Sequence, residues 1–333
     1  LVDEIHKRDM KIMIDIVYNH TSYDSILSKD HPEYFYKKNG EFSNKVGDWW
    51  DIIDLDYSNH DLWNYQIDTL KYWAFMVDGF RCDVASILPI EFWKQAKSSI
   101  KAIKSDFIWL CESTHLEFLR ELRKNGFIAN SDSTMHEAFD ITYEYDIEPY
   151  KIDFLKGNIN AKEYAEKLNY QNMILPNEAI KLRFLENHDT KRINEIVKDK
   201  KKVDILTAFN NFQRGTALIY NGQEGYYNKQ TSLFDKDTIE FNEDENFKNI
   251  ILKIKNIKNE LTDFQYSIEG EEDTLIIKYQ LKDKKVYGYF NLSKEKELEI
   301  DFNDGIYNNL FDDSTIEVKN GKLNVSDIVI IGN

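Results

Sequence analysis

Lys11-Ile-Met-Ile-Asp-Ile-Val17 is a nearly continuous β-rich run with one charged residue, Asp15, between its ends. A run this apolar on both sides suits a strand of a parallel sheet covered on both faces. Gly79–Asp83, Phe107–Glu112, Ala138–Tyr143, Lys181–Leu185 and Thr216–Tyr220 read the same way. Helical patterns lie between them. Asp61–Met76 places Leu62, Tyr65, Leu70 and Trp73 near one face, and Pro89 opens Pro89–Ile103 at a tolerated early helical position. Leu116–Asn125 ends at Gly126, a C′ residue, and Glu245–Leu261 carries Phe247, Ile250, Ile251, Ile254 and Ile257 at helical spacing. Strand–helix alternation of this kind predicts parallel βαβ units and an α/β fold.

The pattern changes after about Thr262. Thr274–Leu281, Lys285–Leu292 and Leu298–Phe302 are short strands, and Ile316 to Val325 reads as a hairpin because Asn320-Gly321 suits a type I′ turn. Residues 1–262 therefore read as one domain and 264–333 as a separate antiparallel β-domain. The chain of 333 residues is 42% hydrophobic and 31% charged, which excludes disorder, collagen and coiled coil. A net charge of −16 argues against nucleic acid or an anionic membrane as partner. The longest apolar runs are strand-sized, so nothing is expected to span a membrane. Two cysteines are too few for a disulfide scaffold, and this leans towards a cytoplasmic location.

Residues 21–57 form a long excursion after the first strand. It contains His31-Pro32, Asn39-Gly40 and Trp49-Trp50. In βα-barrels the C-terminal ends of the strands carry the active site, so the excursion is expected to wall that site. Several strands end in ionisable or polar residues: Asp15, Asn19 and His20; Arg81 and Asp83; Glu112; then Glu186, Asn187, His188 and Asp189. One such residue reads as a cap or an ion pair; four strands ending this way point to a common site. Asp83, Glu112 and Asp189 suit retaining glycoside cleavage, which uses a carboxylate nucleophile and a second carboxyl group roughly 5–5.5 Å away. Arg81 faces the same side as Asp83 and would keep it ionised. Partial burial and a negative neighbour would keep Glu112 protonated, as a general acid requires.

Taken together, Asp15-Ile-Val-Tyr-Asn-His20, Gly79-Phe-Arg-Cys-Asp83, Trp109-Leu-Cys-Glu112 and Phe184-Leu-Glu-Asn-His-Asp189 resemble, in order, the four sequence blocks of the α-amylase family of retaining glycoside hydrolases. Asp54-Leu-Asp56 is similar to the block closing that family's inserted domain, and Gly215 to Glu224 resembles its eighth strand. The resemblance implies a (β/α)8 barrel whose first two strands are absent from this chain, with a short inserted domain and a C-terminal β-domain. It implies Asp83 as nucleophile, Glu112 as acid/base and Asp189 as transition-state stabiliser. Arg81, His20, His188 and Tyr18 are implied to contact the sugar, and Asp15 to be a buried structural partner of Arg81, with Asn19 beside it. If Lys11–Val17 is the family's third strand, it and Thr216–Tyr220 are expected to be unpaired edges. The implied substrate is an α-1,4-linked maltodextrin or starch chain. No cofactor is required. A structural calcium stays an open alternative, since Asn19 is kept while Ile87 stands where many members carry a calcium-ligating His.

Transglycosylation or isomerisation through the same covalent intermediate, and a non-catalytic glucan-binding relative, remain rival readings. A metal-dependent hydrolase would need clustered His ligands, and the seven His are scattered. Cys82 and Cys111 read as free buried thiols. Trp49-Trp50 reads equally as a glucan platform or as packing. Lys198–Lys202 reads as a solvated face, and the sequons at Asn19 and Asn291 carry little weight.

Overall fold

The computed structural model describes residues 1–47 and 49–333 and divides them into two compact units. The first unit comprises residues 1–146 and 175–181, and the second 147–174 and 182–333.

Four short parallel strands organise the first unit: β1 (Met13–Ile16), β2 (Gly79–Cys82), β3 (Ile108–Cys111) and β4 (Ile141–Tyr143). They are joined in that order by the pairs β1–β2, β2–β3 and β3–β4. Each lies within its expected range and is shorter than it. The run from Ala138 begins too early, because Ala138 and Phe139 close a turn on Met135 behind the short helix Asp132–Met135. Gly79 is required where it stands: a Cβ there would meet the Ile108 carbonyl oxygen at 2.7 Å and Met13 Cγ at 2.8 Å. Asp78, just before β2, accepts the Ile12 N–H at 3.0 Å and so pins the start of β1.

Helices α1 (His60–Ala74), α2 (Ile90–Lys101) and α3 (Leu116–Lys124) connect these strands. Two details differ from expectation. Pro89 is the N-cap of α2 rather than its first residue, with ψ of 129°. The buried face of α1 is Leu62, Trp63, Gln66, Ile67, Leu70 and Ala74. Tyr65 falls on its exposed side, because a 3.6-residue period carries it away from the centre of that face, while Trp73 lies on the Leu62–Gln66 row and is exposed near the helix end. Gly126 follows α3 at φ +80°, the left-handed C′ position. Phe80, Trp93, Trp109 and Phe139 fill the space between strands and helices, with Phe80 and Trp109 at 5.5 Å and near-perpendicular. Between β1 and α1, His20–Ser22 pairs with Ile52–Asp54 and Lys37–Lys38 with Glu41–Phe42, so the excursion is a small β-rich insert.

Strand β5 (Ile180–Phe184) enters the second unit at Leu182, and there it pairs in parallel with β6 (Thr216–Leu218) through Leu182–Phe184. Among the described residues β1 pairs only with β2, and β6 only with β5. Helices α4 (Ala161–Ile174), α5 (Lys200–Phe212) and α6 (Glu245–Lys258) pack here. The lysine run at 198–202 includes the exposed first turn of α5. From residue 265 onward the chain builds two four-stranded antiparallel sheets. In their hairpin Asn320 and Gly321 both have positive φ, 54° and 70°, as a type I′ turn demands.

Lys258, near the end of α6, donates to the carbonyls of Asn211 at 3.1 Å and Gly215 at 2.8 Å, just past the end of α5. Burial, with a smaller contribution from Arg183, brings its amine from the usual 10.5 down to about 8. The sign follows from proton counting. Between pH 8 and 10.5 the unfolded chain holds a proton that the folded protein has released, so stability rises with pH across that window. Discounted for its partial exposure, the gain is about 2 kcal/mol. Urea unfolding at pH 7.5 and 10 should show it, and Lys258→Met should abolish the difference; a difference that survives the substitution refutes the assignment.

Candidate active site

The C-terminal ends of β1, β2 and β3 bring four charged side chains of the first unit together. Alternation along β2 turns Phe80 and Cys82 towards the helices and leaves Arg81 and Asp83 on the opposite side. Asp15 lies opposite Arg81 in the register of β1. The Arg81 guanidinium joins them. Its Nη1 donates to both oxygens of Asp15 at 2.9 Å and to Oδ1 of Asp83 at 2.8 Å. Its Nη2 lies 2.8 Å from Oε2 of Glu112, an ion pair without hydrogen-bond alignment. The Tyr143 ring sits 5.7 Å from the guanidinium carbon. Burial pulls the guanidinium down, but Glu112, Asp15 and Tyr143 outweigh burial and hold it well above its ordinary value.

The carboxylates differ in access. The side chain of Glu112 is 7% exposed and that of Asp83 21%, so Asp83 is the more open of the two. Glu112 Oε2 also accepts the N–H of Val84 at 2.8 Å. The expected burial of Glu112 is present, but its nearest charge is Arg81 rather than a negative neighbour. Asp15 partners Arg81 as expected, yet its side chain is 53% exposed because β1 is an edge strand.

Tyr18 does not join the group. It is buried, donates to the Gln66 carbonyl at 3.1 Å and stacks on Trp93, so it packs against α1 and α2 rather than facing a ligand. Asn19 is buried and donates to Asp54 Oδ1 at 3.2 Å, with His20 Nδ1 at 3.3 Å. His20 meets the edge of Trp49 at 5.7 Å, and Trp49 stacks on Phe118. Trp50 points to solvent, 82% exposed. The pair is therefore divided, one ring packed and one open. Cys82 and Cys111 are free, buried and opposite each other in the β2–β3 register. Burial pushes both thiols well up, so they stay protonated and inert.

In the second unit His188 Nε2 lies 3.2 Å from Asp189 Oδ2, and the Asp189 N–H is held by Asn187 Oδ1 at 3.0 Å. Both side chains are about two-fifths exposed. Glu186, which the sequence places in the same cluster, is fully buried against Arg192 at 2.7 Å and the Ile193 N–H at 2.6 Å. Burial raises its carboxyl against those two partners. It is a structural ion pair, and Arg192 gave no sign of it in the sequence.

The residues around Asn19 do not fit a calcium ion. Hard cations need six or more oxygen ligands. Asp54 is fully buried, and its two oxygens accept Asn19 Nδ2 at 3.2 Å and the Lys45 N–H at 2.8 Å. The Lys45 ammonium donates to the Leu55 carbonyl at 3.0 Å. Burial lowers the Lys45 amine, opposed by Asp54 and Asp56. The Asp54 oxygens are thus already taken by an amide and a backbone N–H. Among the described residues no group of three or more His, Cys, Asp or Glu is arranged to hold a metal. Neither Lys45 nor Val84 was singled out in the sequence: a lysine in a polar insert and a valine after a strand carry no distinguishing pattern.

An arginine-linked trio of carboxylates stands at the ends of parallel strands in a β/α framework, and the chain belongs to the α-amylase family. It matches the α-amylase catalytic domain over residues 47–271 and the bacterial α-amylase C-terminal domain over residues 265–331. An α-amylase from Lactobacillus plantarum is similar at 39% identity and a TM-score of 0.93, covering 100% of this chain and 80% of that one. A maltogenic α-amylase from Thermotoga neapolitana is similar at 30% identity and a TM-score of 0.83, covering 100% and 79%. The intracellular maltogenic amylase of Bacillus subtilis is 30% identical over 67% of this chain, and the chain spans only 39% of that protein's length.

Proposed function

We propose that this chain carries the catalytic centre of a retaining hydrolase of α-1,4-linked glucans such as maltodextrin. The observation that supports this best is the sharing of one guanidinium by Asp83 and Glu112, which sets an open carboxylate beside a buried one. Asp83 Oδ1 is committed to Arg81, so Oδ2 attacks the anomeric carbon. The C1–O bond breaks as Glu112 gives its proton to the leaving oxygen, and a glycosyl–Asp83 ester forms. Water then attacks C1, Glu112 takes the water proton, and Asp83 leaves as the carboxylate. His20, held beside Asn19 and Trp49, contacts the same sugar. Proton NMR of the first product tests the stereochemistry: the α-anomer should appear before mutarotation, and an initial β-anomer refutes retention. The name of the Bacillus relative favours a cytoplasmic setting. No helix among the described residues is long and apolar enough to cross a membrane.

The enzyme needs no structural calcium, because the Asp54 oxygens are engaged by Asn19 and the Lys45 N–H. EDTA should leave the unfolding midpoint unchanged. Lys45→Met should cost about 1 kcal/mol by leaving the Leu55 carbonyl without its donor. A marked rise in the wild-type midpoint on adding calcium contradicts this.

A further inference from the structure

Val84 follows the proposed nucleophile and has φ of 36° and ψ of 37°. Among the described residues it is the one β-branched side chain with positive φ. That region crowds Cβ against the backbone, and a β-branched residue there is a genuine outlier. Such strain persists only where the surroundings over-determine it. Here they do. The Asp83 N–H is tied to the Ile16 carbonyl at 2.9 Å, and Ile87 N–H closes on the Val84 carbonyl at 3.1 Å. Trp93 Nε1 holds the Ala85 carbonyl at 3.0 Å, while Asn130 Nδ2 holds those of Ser86 at 3.1 Å and Leu88 at 2.7 Å. The strand end and the following turn are both anchored, and the residue between them takes up the reversal. The valine side chain is itself buried.

The N–H of Val84 belongs to the peptide plane that joins it to Asp83. That plane aims the N–H at Glu112 Oε2, 2.8 Å away, and the left-handed φ lets the chain continue into the turn from there. We propose that Val84 is a positioning residue for the acid: its N–H, with Arg81, keeps Oε2 proton-free, so the proton donated to the leaving group rides on Oε1. The inference rests on the assignment of Glu112 as acid/base. It adds that one peptide plane couples the placement of nucleophile and acid. In the second step the same N–H steadies the carboxylate while Oε1 takes the proton of the attacking water.

The test replaces the Asp83–Val84 amide with an ester, by incorporating the α-hydroxy analogue of valine at position 84. This keeps the side chain and deletes the donor. Rates are compared on maltoheptaose and on 2,4-dinitrophenyl α-maltoside, whose leaving group needs no proton. The ester should lower kcat on maltoheptaose roughly tenfold. It should move the alkaline limb of the pH profile up by about one unit. It should change kcat/KM on the dinitrophenyl glycoside, which reports the first step alone, by less than about twofold. Val84→Gly keeps the N–H and should keep the wild-type alkaline limb. In the wild type, the amide resonance of Val84 should titrate with the acid, and Glu112→Gln should abolish that titration, a readout that requires no change at position 84. An unmoved limb in the ester, a limb displaced equally by Val84→Gly, or an amide resonance that ignores the acid overturns the proposal. The underlying assignment fails separately, if Glu112→Gln still cleaves maltoheptaose at the wild-type rate.

Discussion

Asp83→Asn is expected to reduce kcat on maltodextrin on the order of 10⁴-fold while leaving thermal stability close to wild type. The substitution is nearly isosteric. The amide oxygen still accepts from Arg81 Nη1, the contact that Asp83 Oδ1 makes at 2.8 Å. What disappears is the charged oxygen that attacks C1. The defect should therefore appear in kcat with an unfolding midpoint that scarcely moves. Azide, a small external nucleophile, should restore part of the rate on an activated glycoside. Steady-state kinetics beside a thermal melt decide it: activity within tenfold of wild type removes Asp83 from the nucleophile role.

Arg81→Met should be the most damaging single change to the fold of the first unit. It removes the cation shared by Asp15, Asp83 and Glu112 and takes an ion-pair partner from the 7%-exposed Glu112. Breaking a buried pair costs about 3–5 kcal/mol, and the half-exposed Asp15 places this case near the lower end, at about 3 kcal/mol. The pH dependence has a definite sign. In the wild type the carboxylates Glu112 and Asp15 hold the guanidinium charged against the penalty of burial. Without it, three carboxylates repel, and acid relieves the repulsion by adding protons to the folded form. The deficit at pH 7 should shrink at pH 5. Urea titrations at the two pH values measure it, and an equal deficit at both would show that lost packing dominates. Catalysis should fall as well, since neither carboxylate is then held in place.

Much of the site was legible because its residues sit at strand ends. A two-residue period fixes which side chains share a face, so Arg81 and Asp83 were readable as neighbours without coordinates. The order of the apolar runs likewise announced parallel strands followed by helices, and Asn320-Gly321 announced its turn. Failures arose where one residue type serves two environments. Tyr18 lies in the same block as Asp15 and His20, but its hydroxyl reaches the Gln66 carbonyl behind the sheet. Tyr65 and Trp73 are apolar enough to be counted on the core face of α1, yet the helix buries Trp63 and Gln66 instead. Trp49 and Trp50 are chemically identical, and only the fold separates the packed ring from the open one.

By itself the sequence determined the alternation of strands and helices, the antiparallel C-terminal segment and the acids that reach the strand ends. These follow from local periodicity, turn chemistry and residue type, all of which are written along the chain. Tertiary structure alone decided that Arg81 binds three carboxylates at once, that the Lys45 N–H closes on Asp54, that Glu186 is spent on Arg192, and that Val84 is bent into a left-handed conformation to point its N–H at Glu112. Each depends on where residues distant in sequence meet, and on which polar group a buried charge finds when water is gone.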